Sequence, residues 1–218
     1  YTSVAHLRLR TSLVEYSRLR TSVIQLLSRL SPARSVKTVW AAGEPPVEEN
    51  KRTLFVWPEG VFTGFNLDQI KQYKFLFKKA FSENHLILFG VNSVVEAQVN
   101  NQTFNSLVII NNKFEIVFKY DKLKLVPFGE FLPFENILSN LGLKKITEGH
   151  GSFTRGKEVK VFSLGNLKLL PLICYEIIFP ALSQNQKQKN IIVNISEDAW
   201  FGETLGPNQH FSKAVFRS

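Results

Sequence analysis

From Thr53 onward the chain is a succession of short apolar runs bounded by Pro, Gly or Asn and interrupted by one helical stripe. That alternation confines it to a layered α/β fold. Thr53–Trp57 reads as a buried-type strand that stops at Pro58-Glu59-Gly60. Asn66–Phe81 has helical periodicity, with Ile70, Tyr73, Phe77 and Phe81 on one stripe and Asn66 placed to cap it. Leu86–Val91 is a further strand. Phe104–Ile110 and Phe114–Tyr120 form a hairpin around Asn111-Asn112, residues that tolerate the positive φ of a tight turn. Val159–Leu164 and Leu167–Ile173 pair in the same way around Gly165-Asn166, and Asn190–Ile195 is another apolar strand. In such a fold reactive groups sit at strand ends and on the loops that follow them.

The preceding segment differs in composition. Residues 1–52 contain seven arginines and two lysines, and residues 53–218 contain two arginines and sixteen lysines. Residues 1–52 are therefore expected to be an atypical basic extension and linker, and residues 53–218 a separate α/β domain. An amphipathic basic helix over Ser12–Leu30, ended by Ser31-Pro32, would suit a membrane surface; a locally patterned extension is the alternative. Ala41–Asn50, with Pro45-Pro46 and three glutamates, reads as a linker.

The net charge of +9 invites nucleic acid or an anionic membrane as partner. The basic residues from Lys78 to Lys189 are scattered as pairs, as on a solvated surface. No zinc-ligand spacing, helix-turn-helix signature or aromatic RNA-binding motif accompanies them, so nucleic acid is not an expected partner. No stretch approaches the ~18 apolar residues of a membrane-spanning helix. The single cysteine, Cys174, cannot form an internal disulfide. A lone cysteine is most often a small buried hydrophobe, so its context has to decide.

That context is Leu169-Leu-Pro-Leu-Ile-Cys174-Tyr-Glu176, an apolar strand delivering a cysteine just before a helix expected from Ile177. A nucleophile at a sharp strand-to-helix turn is exposed at the sheet edge, and nearby backbone N–H groups can stabilise a thiolate or an oxyanion. Val56-Trp-Pro-Glu59 sets a carboxylate at the end of another buried strand, where partial burial makes it a better base. Asp121-Lys122-Leu-Lys-Leu-Val-Pro-Phe-Gly-Glu130 sets a lysine just after a strand and a second glutamate on a Pro/Gly loop. Singly, these read as a turn carboxylate, a surface lysine and a loop charge. Together they are reactive groups at three strand ends.

These blocks, with Asp198-Ala-Trp-Phe-Gly and Gly206-Pro-Asn-Gln-His, resemble the carbon–nitrogen hydrolase (nitrilase) superfamily. Within it they look most like the apolipoprotein N-acyltransferases, for which Leu-Val-Pro-Phe-Gly-Glu and Asp-Ala-Trp-Phe-Gly discriminate. The resemblance covers about residues 53–217 and implies a nitrilase-like α-β-β-α sandwich. It places the family's base on Glu59, its lysine on Lys122 and its nucleophile on Cys174. Glu130 matches a second active-site glutamate. Tyr175, Glu176, Asn105 and Trp200 match supporting residues; for Trp200 core packing is the alternative.

The implied reaction carries a fatty acyl chain from a phospholipid, through a Cys174 thioester, to the N-terminal amine of a diacylglyceryl-cysteine lipoprotein. No cofactor and no metal are implied. The implied setting is the bacterial inner membrane, with the catalytic domain facing the periplasm and membrane-spanning segments outside this chain. Phe62, Phe65, Phe128, Phe131 and Phe134 are candidates for an acyl-lined surface, and each is equally a candidate for core. The chain departs from the family at Glu197, usually asparagine, and at Gly60. It is expected to be incomplete at both ends, as a fragment or through a frame altered upstream of about residue 53. The rival readings are a soluble amidase of the same superfamily and a catalytically silent fragment.

Overall fold

The computed structural model describes residues 3–8, 53–62, 64–97, 101–134, 152–184, 189–197 and 204–216. The helix expected over Ser12–Leu30, the linker at 41–50 and Trp200 lie outside them.

The described strands form two four-stranded sheets. In the first, β2 (Thr53–Val56) runs parallel to β3 (His85–Val95), and β4 (Gln102–Asn111) and β5 (Ile116–Asp121) continue it antiparallel. The second has the order β1 (Ser3–Arg8), β8 (Ile191–Ser196), β7 (Leu167–Ile173), β6 (Phe162–Leu164). In it β1 and β7 flank β8 in parallel and β6 pairs antiparallel with β7. Sequence gave no reason to expect β1. A six-residue strand that includes His6 and Arg8 carries too little apolar signal to register, and only its partner β8 identifies it.

Alternation along β3 and β4 splits the core in two, because successive strand side chains point to opposite faces. Ile87, Phe89, Val108 and Ile110 face α1 (Leu67–Lys71) and α2 (Lys74–Ala80), where they pack with Phe77, Ile70 and Trp57. Leu88, Leu107, Ile109 and Tyr120 face the second sheet, against Leu169, Ile173, Val193 and Ile195. The far side of that sheet is covered by α3 (Pro180–Gln184) and α4 (Gly206–Val215), with Leu182 and Ala214 in the same cluster. The order of layers is α-β-β-α, as expected. At ~25 cal/mol per Å² of apolar surface removed from water, these two clusters supply the main drive for folding.

Local differences from the sequence expectation have local causes. The helix expected over Asn66–Phe81 is two helices, broken at Gln72–Tyr73. Asn66 caps the first: its side chain accepts from Gln69 N at 2.9 Å, and Gln69 Oε1 accepts from Asn66 N at 2.8 Å. At the β4–β5 turn Asn111 Oδ1 accepts from Lys113 N and Glu115 N, so the side chain stabilises the turn while the positive φ falls on Phe114 (63°). Gly165 takes the positive φ (57°) of the β6–β7 hairpin. No described helix is long and apolar enough to cross a membrane.

Candidate active site

The buried run Leu169–Ile173 of β7 ends in Cys174, the first residue of a 3₁₀ helix, Cys174–Ile178. Cys174 has φ +51°, the left-handed region, which costs a non-glycine residue on the order of 1–3 kcal/mol and needs support from its surroundings. Glu176 supplies much of that support. Its wholly buried carboxylate accepts from Ile173 N (2.9 Å), Leu123 N (2.7 Å), Lys124 N (3.0 Å) and the Tyr120 hydroxyl (2.9 Å to each oxygen). One side chain therefore clamps the turn at Cys174 to the segment that follows Lys122. Burial pushes the Glu176 carboxyl above the ordinary carboxylate range, against the pull of its three backbone donors and of Lys122. Burial and the Glu176 charge likewise push the Tyr120 phenol well up, so it stays a donor.

Lys122 follows β5, with its N–H on the Asn105 carbonyl and its own carbonyl taking the Gly156 N–H, both at 2.9 Å. Its side chain is 2% exposed, and Nζ lies 2.9 Å from Glu130 Oε1 and 3.8 Å from Glu59 Oε1. Asn105 Nδ2 donates to the same two oxygens, at 2.8 Å to Glu59 and 2.7 Å to Glu130. Glu130 Oε2 accepts from Val126 N at 2.8 Å inside a loop closed by Phe128 N–H on the Phe131 carbonyl. Burial alone would depress the Lys122 ammonium, but Glu59, Glu130 and Cys174 together outweigh it and hold the group above the usual lysine value. A permanently charged ammonium beside the thiol can stabilise a thiolate or an oxyanion. Two carboxylates face this one cation, Glu130 in direct contact and Glu59 a little further off.

Glycine sets the approach of the Glu59 loop. A Cβ on Gly90 of β3 would lie 2.8 Å from Glu59 Cα and 3.1 Å from Ile195 Cδ1, so only glycine lets the two sheets and this loop meet there. Glu59 Oε2 accepts from Glu197 N at 3.2 Å. Gly60 (φ +72°) and Glu197, the two departures noted in the sequence, turn out to be neighbours: a Cβ on Gly60 would collide with the Glu197 carboxylate.

Glu59, Lys122, Glu130 and Asn105 are thus in one hydrogen-bonded cluster, Cys174 acts on Lys122 electrostatically, and Glu176 lies behind the turn. Tyr175 is 40% exposed, edge-on to Phe179. The phenylalanine candidates divide: Phe62 belongs to the core with Trp57 and Phe77 and half-buried Phe65 packs against it, whereas Phe128 and Phe134 are 46% and 79% exposed and Phe131 is half-buried. The alternation of β3 and the α1–α2 packing draw the first two inward, which sequence spacing could not tell. Sequence reading also passed over His210 of α4. It is buried, with Nε2 2.9 Å from the Cys174 carbonyl oxygen and Nδ1 3.4 Å from Ser196 Oγ. Its only sequence signal was its place beside Gln209 in a quoted block.

The carbon-nitrogen hydrolase family profile matches residues 20–217, and the chain belongs to that family. It is 37% identical over 180 residues to the apolipoprotein N-acyltransferase of Rhizobium rhizogenes (strain K84 / ATCC BAA-868), covering 80% of this chain and 34% of that protein. It is 36% identical over 187 residues to the apolipoprotein N-acyltransferase of Brucella suis biovar 1 (strain 1330), covering 84% and 35%. The chain thus spans about a third of the length of these curated relatives. Among solved structures, an amidase from Nesterenkonia sp. AN1 aligns with TM-score 0.43 at 15% identity, over 70% of this chain and 58% of that one.

Proposed function

We propose that this chain carries the catalytic centre of an apolipoprotein N-acyltransferase. The observation that carries the proposal is the buried Lys122 ammonium, held between Glu59 and Glu130 and coupled to the Cys174 thiol at a left-handed turn. The names of its relatives supply the acceptor, an apolipoprotein. The acyl donor is a membrane phospholipid, and the setting is the periplasmic face of a bacterial inner membrane.

Glu59 takes the proton from Cys174 Sγ, and the thiolate attacks the ester carbonyl carbon. As the C–S bond forms, the carbonyl electrons move onto oxygen, where Lys122 and the Tyr175 N–H receive the charge. Collapse breaks the C–O bond, and the departing lysophospholipid oxygen takes the proton back from Glu59. In the second half the α-amine of the diacylglyceryl-cysteine attacks the thioester, Glu59 accepts a proton from nitrogen, and Cys174 leaves. Glu130 and Asn105 hold Lys122 and Glu59 in register throughout. Exposed Phe128 and Phe134 flank the Glu130 loop and give an acyl chain an apolar surface to follow. No step calls for a metal or a cofactor.

The test is intact mass of the chain after incubation with phospholipid vesicles, beside a Cys174→Ala control. A fatty-acyl increment that hydroxylamine removes and the control lacks is the expected result. A folded chain that gains no increment would overturn the reading, favouring a silent fragment, and turnover of small amides without lipid would favour an amidase.

A further inference from the structure

The parallel strands β7 and β8 end side by side, with Ile173 opposite Ile195. The next residue on each strand is a polar one, Cys174 and Ser196. His210 bridges them from α4: Nε2 lies 2.9 Å from the Cys174 carbonyl oxygen and Nδ1 3.4 Å from Ser196 Oγ. A carbonyl oxygen only accepts, so Nε2 carries the hydrogen. In that tautomer Nδ1 accepts a hydrogen bond from the Ser196 hydroxyl, a longer and weaker contact. Two of the three residues are buried, with His210 6% exposed and Ser196 fully buried.

The bonded carbonyl belongs to the peptide that joins Cys174 to Tyr175. That unit is planar and trans, so its C=O and N–H point in opposite directions. Fixing the carbonyl on His210 therefore fixes where the Tyr175 N–H points. The Tyr175 N–H is also one of the first donors of the 3₁₀ helix, where no intrahelical acceptor is available. With Cys174 at φ +51°, this peptide is held by its surroundings and not by its own preference.

We propose that His210 is a positioning residue: through the Cys174 carbonyl it aims the Tyr175 N–H at the oxyanion formed on the acyl group. The inference rests on the acyl-transfer reading above, since it is the acyl carbonyl that needs this donor. It separates two properties of Cys174. Attack on an alkyl halide creates no oxyanion and has no use for the donor, whereas attack on an ester depends on it.

The experiment compares wild type, His210→Phe, His210→Gln and Ser196→Ala in the 218-residue chain, each first checked for cooperative thermal unfolding. Two rates are followed by intact mass: alkylation of Cys174 by iodoacetamide, and its acylation by p-nitrophenyl palmitate, in which a C–S bond replaces the ester C–O bond and p-nitrophenolate leaves. His210→Phe is expected to acylate about tenfold to a hundredfold more slowly, the scale for a misplaced catalytic group, with alkylation within about threefold of wild type. His210→Gln, which keeps an N–H donor, is expected to recover most of the loss. Ser196→Ala should lose acylation selectively by a smaller factor, and it carries the test if His210→Phe does not fold. Equal acylation in wild type and variants, or parallel loss of both rates, would overturn the inference alone. A folded wild-type chain that takes no acyl group would overturn the function itself and this inference with it.

Discussion

Lys122 Nζ stands 2.9 Å from Glu130 Oε1 with the lysine side chain 2% exposed. An ammonium that deep is retained only because carboxylates surround it; Glu59 follows the end of β2, and Asn105, within β4, bridges the two carboxylates. The cluster therefore both stabilises charge and depends on each of its members, which makes it open to test.

In the proposed mechanism Lys122→Ala removes the side-chain donor to the oxyanion. Loss of one such donor costs about 3–4 kcal/mol of transition-state stabilisation, so the rate of thioester formation should fall by about two to three orders of magnitude. Time-resolved intact mass reads this directly. Thioester formation near the wild-type rate would rule out the role assigned to Lys122.

The charge of Lys122 also has a pH signature. A basic group raised on folding contributes its stability in full below its unfolded value, about 10.4, and loses it only as pH climbs through the folded value. The difference in thermal midpoint between wild type and Lys122→Met should therefore be flat from pH 7 to pH 9. A gap that closes between pH 7 and pH 9 would contradict the raised lysine.

Glu176→Ala should be among the most destabilising single changes. It strands the Tyr120 hydroxyl and the N–H groups of Ile173, Leu123 and Lys124 in the interior, each costing on the order of 1–3 kcal/mol when left unmade. Partial relaxation and water entry make a net loss of about 3–5 kcal/mol the expectation. Urea unfolding would measure it, and a loss under about 1 kcal/mol would show that the clamp is not structural.

Gly60 and Glu197 should be energetically coupled. Gly60→Ala is opposed twice, by φ +72° and by collision with the Glu197 carboxylate. Glu197→Ala relieves only the collision. A double-mutant cycle on unfolding free energy is therefore expected to give a coupling above about 0.5 kcal/mol, as for residues in contact. Additive losses would mean that the carboxylate simply swings away.

Asn105→Asp replaces the amide that donates to both Glu59 and Glu130 with a third negative charge. Asn105→Ala removes the donor without adding charge. The aspartate variant should lose more stability than the alanine one by about 1 kcal/mol or more, from like-charge repulsion in a partly buried site. Paired thermal melts decide the order, and the reverse order would show that Asn105 is not the bridge.

The sequence alone determined the strand-rich α/β character of residues 53–218, because period-two burial and turn residues are local signals. It also marked Glu59, Lys122, Glu130 and Cys174, because each ends an apolar run and sits in a block resembling one family. Asn105 and Glu176 were visible only as companions of those blocks, and that resemblance could not say that one is a bridge and the other a clamp. Glu59 and Asn105, 46 positions apart, are joined by the β2–β3–β4 pairing of the first sheet, and Tyr120 and Glu176, 56 positions apart, by the stacking of the second sheet on it. The same stacking set Gly60 against Glu197, while helices packed on the outer faces put His210 behind Cys174 and drew Phe62 into the core. Local propensity specifies where a strand ends. Only the packed layers, driven by burial of the two apolar clusters, decide which strand ends meet and so which charged groups share one site.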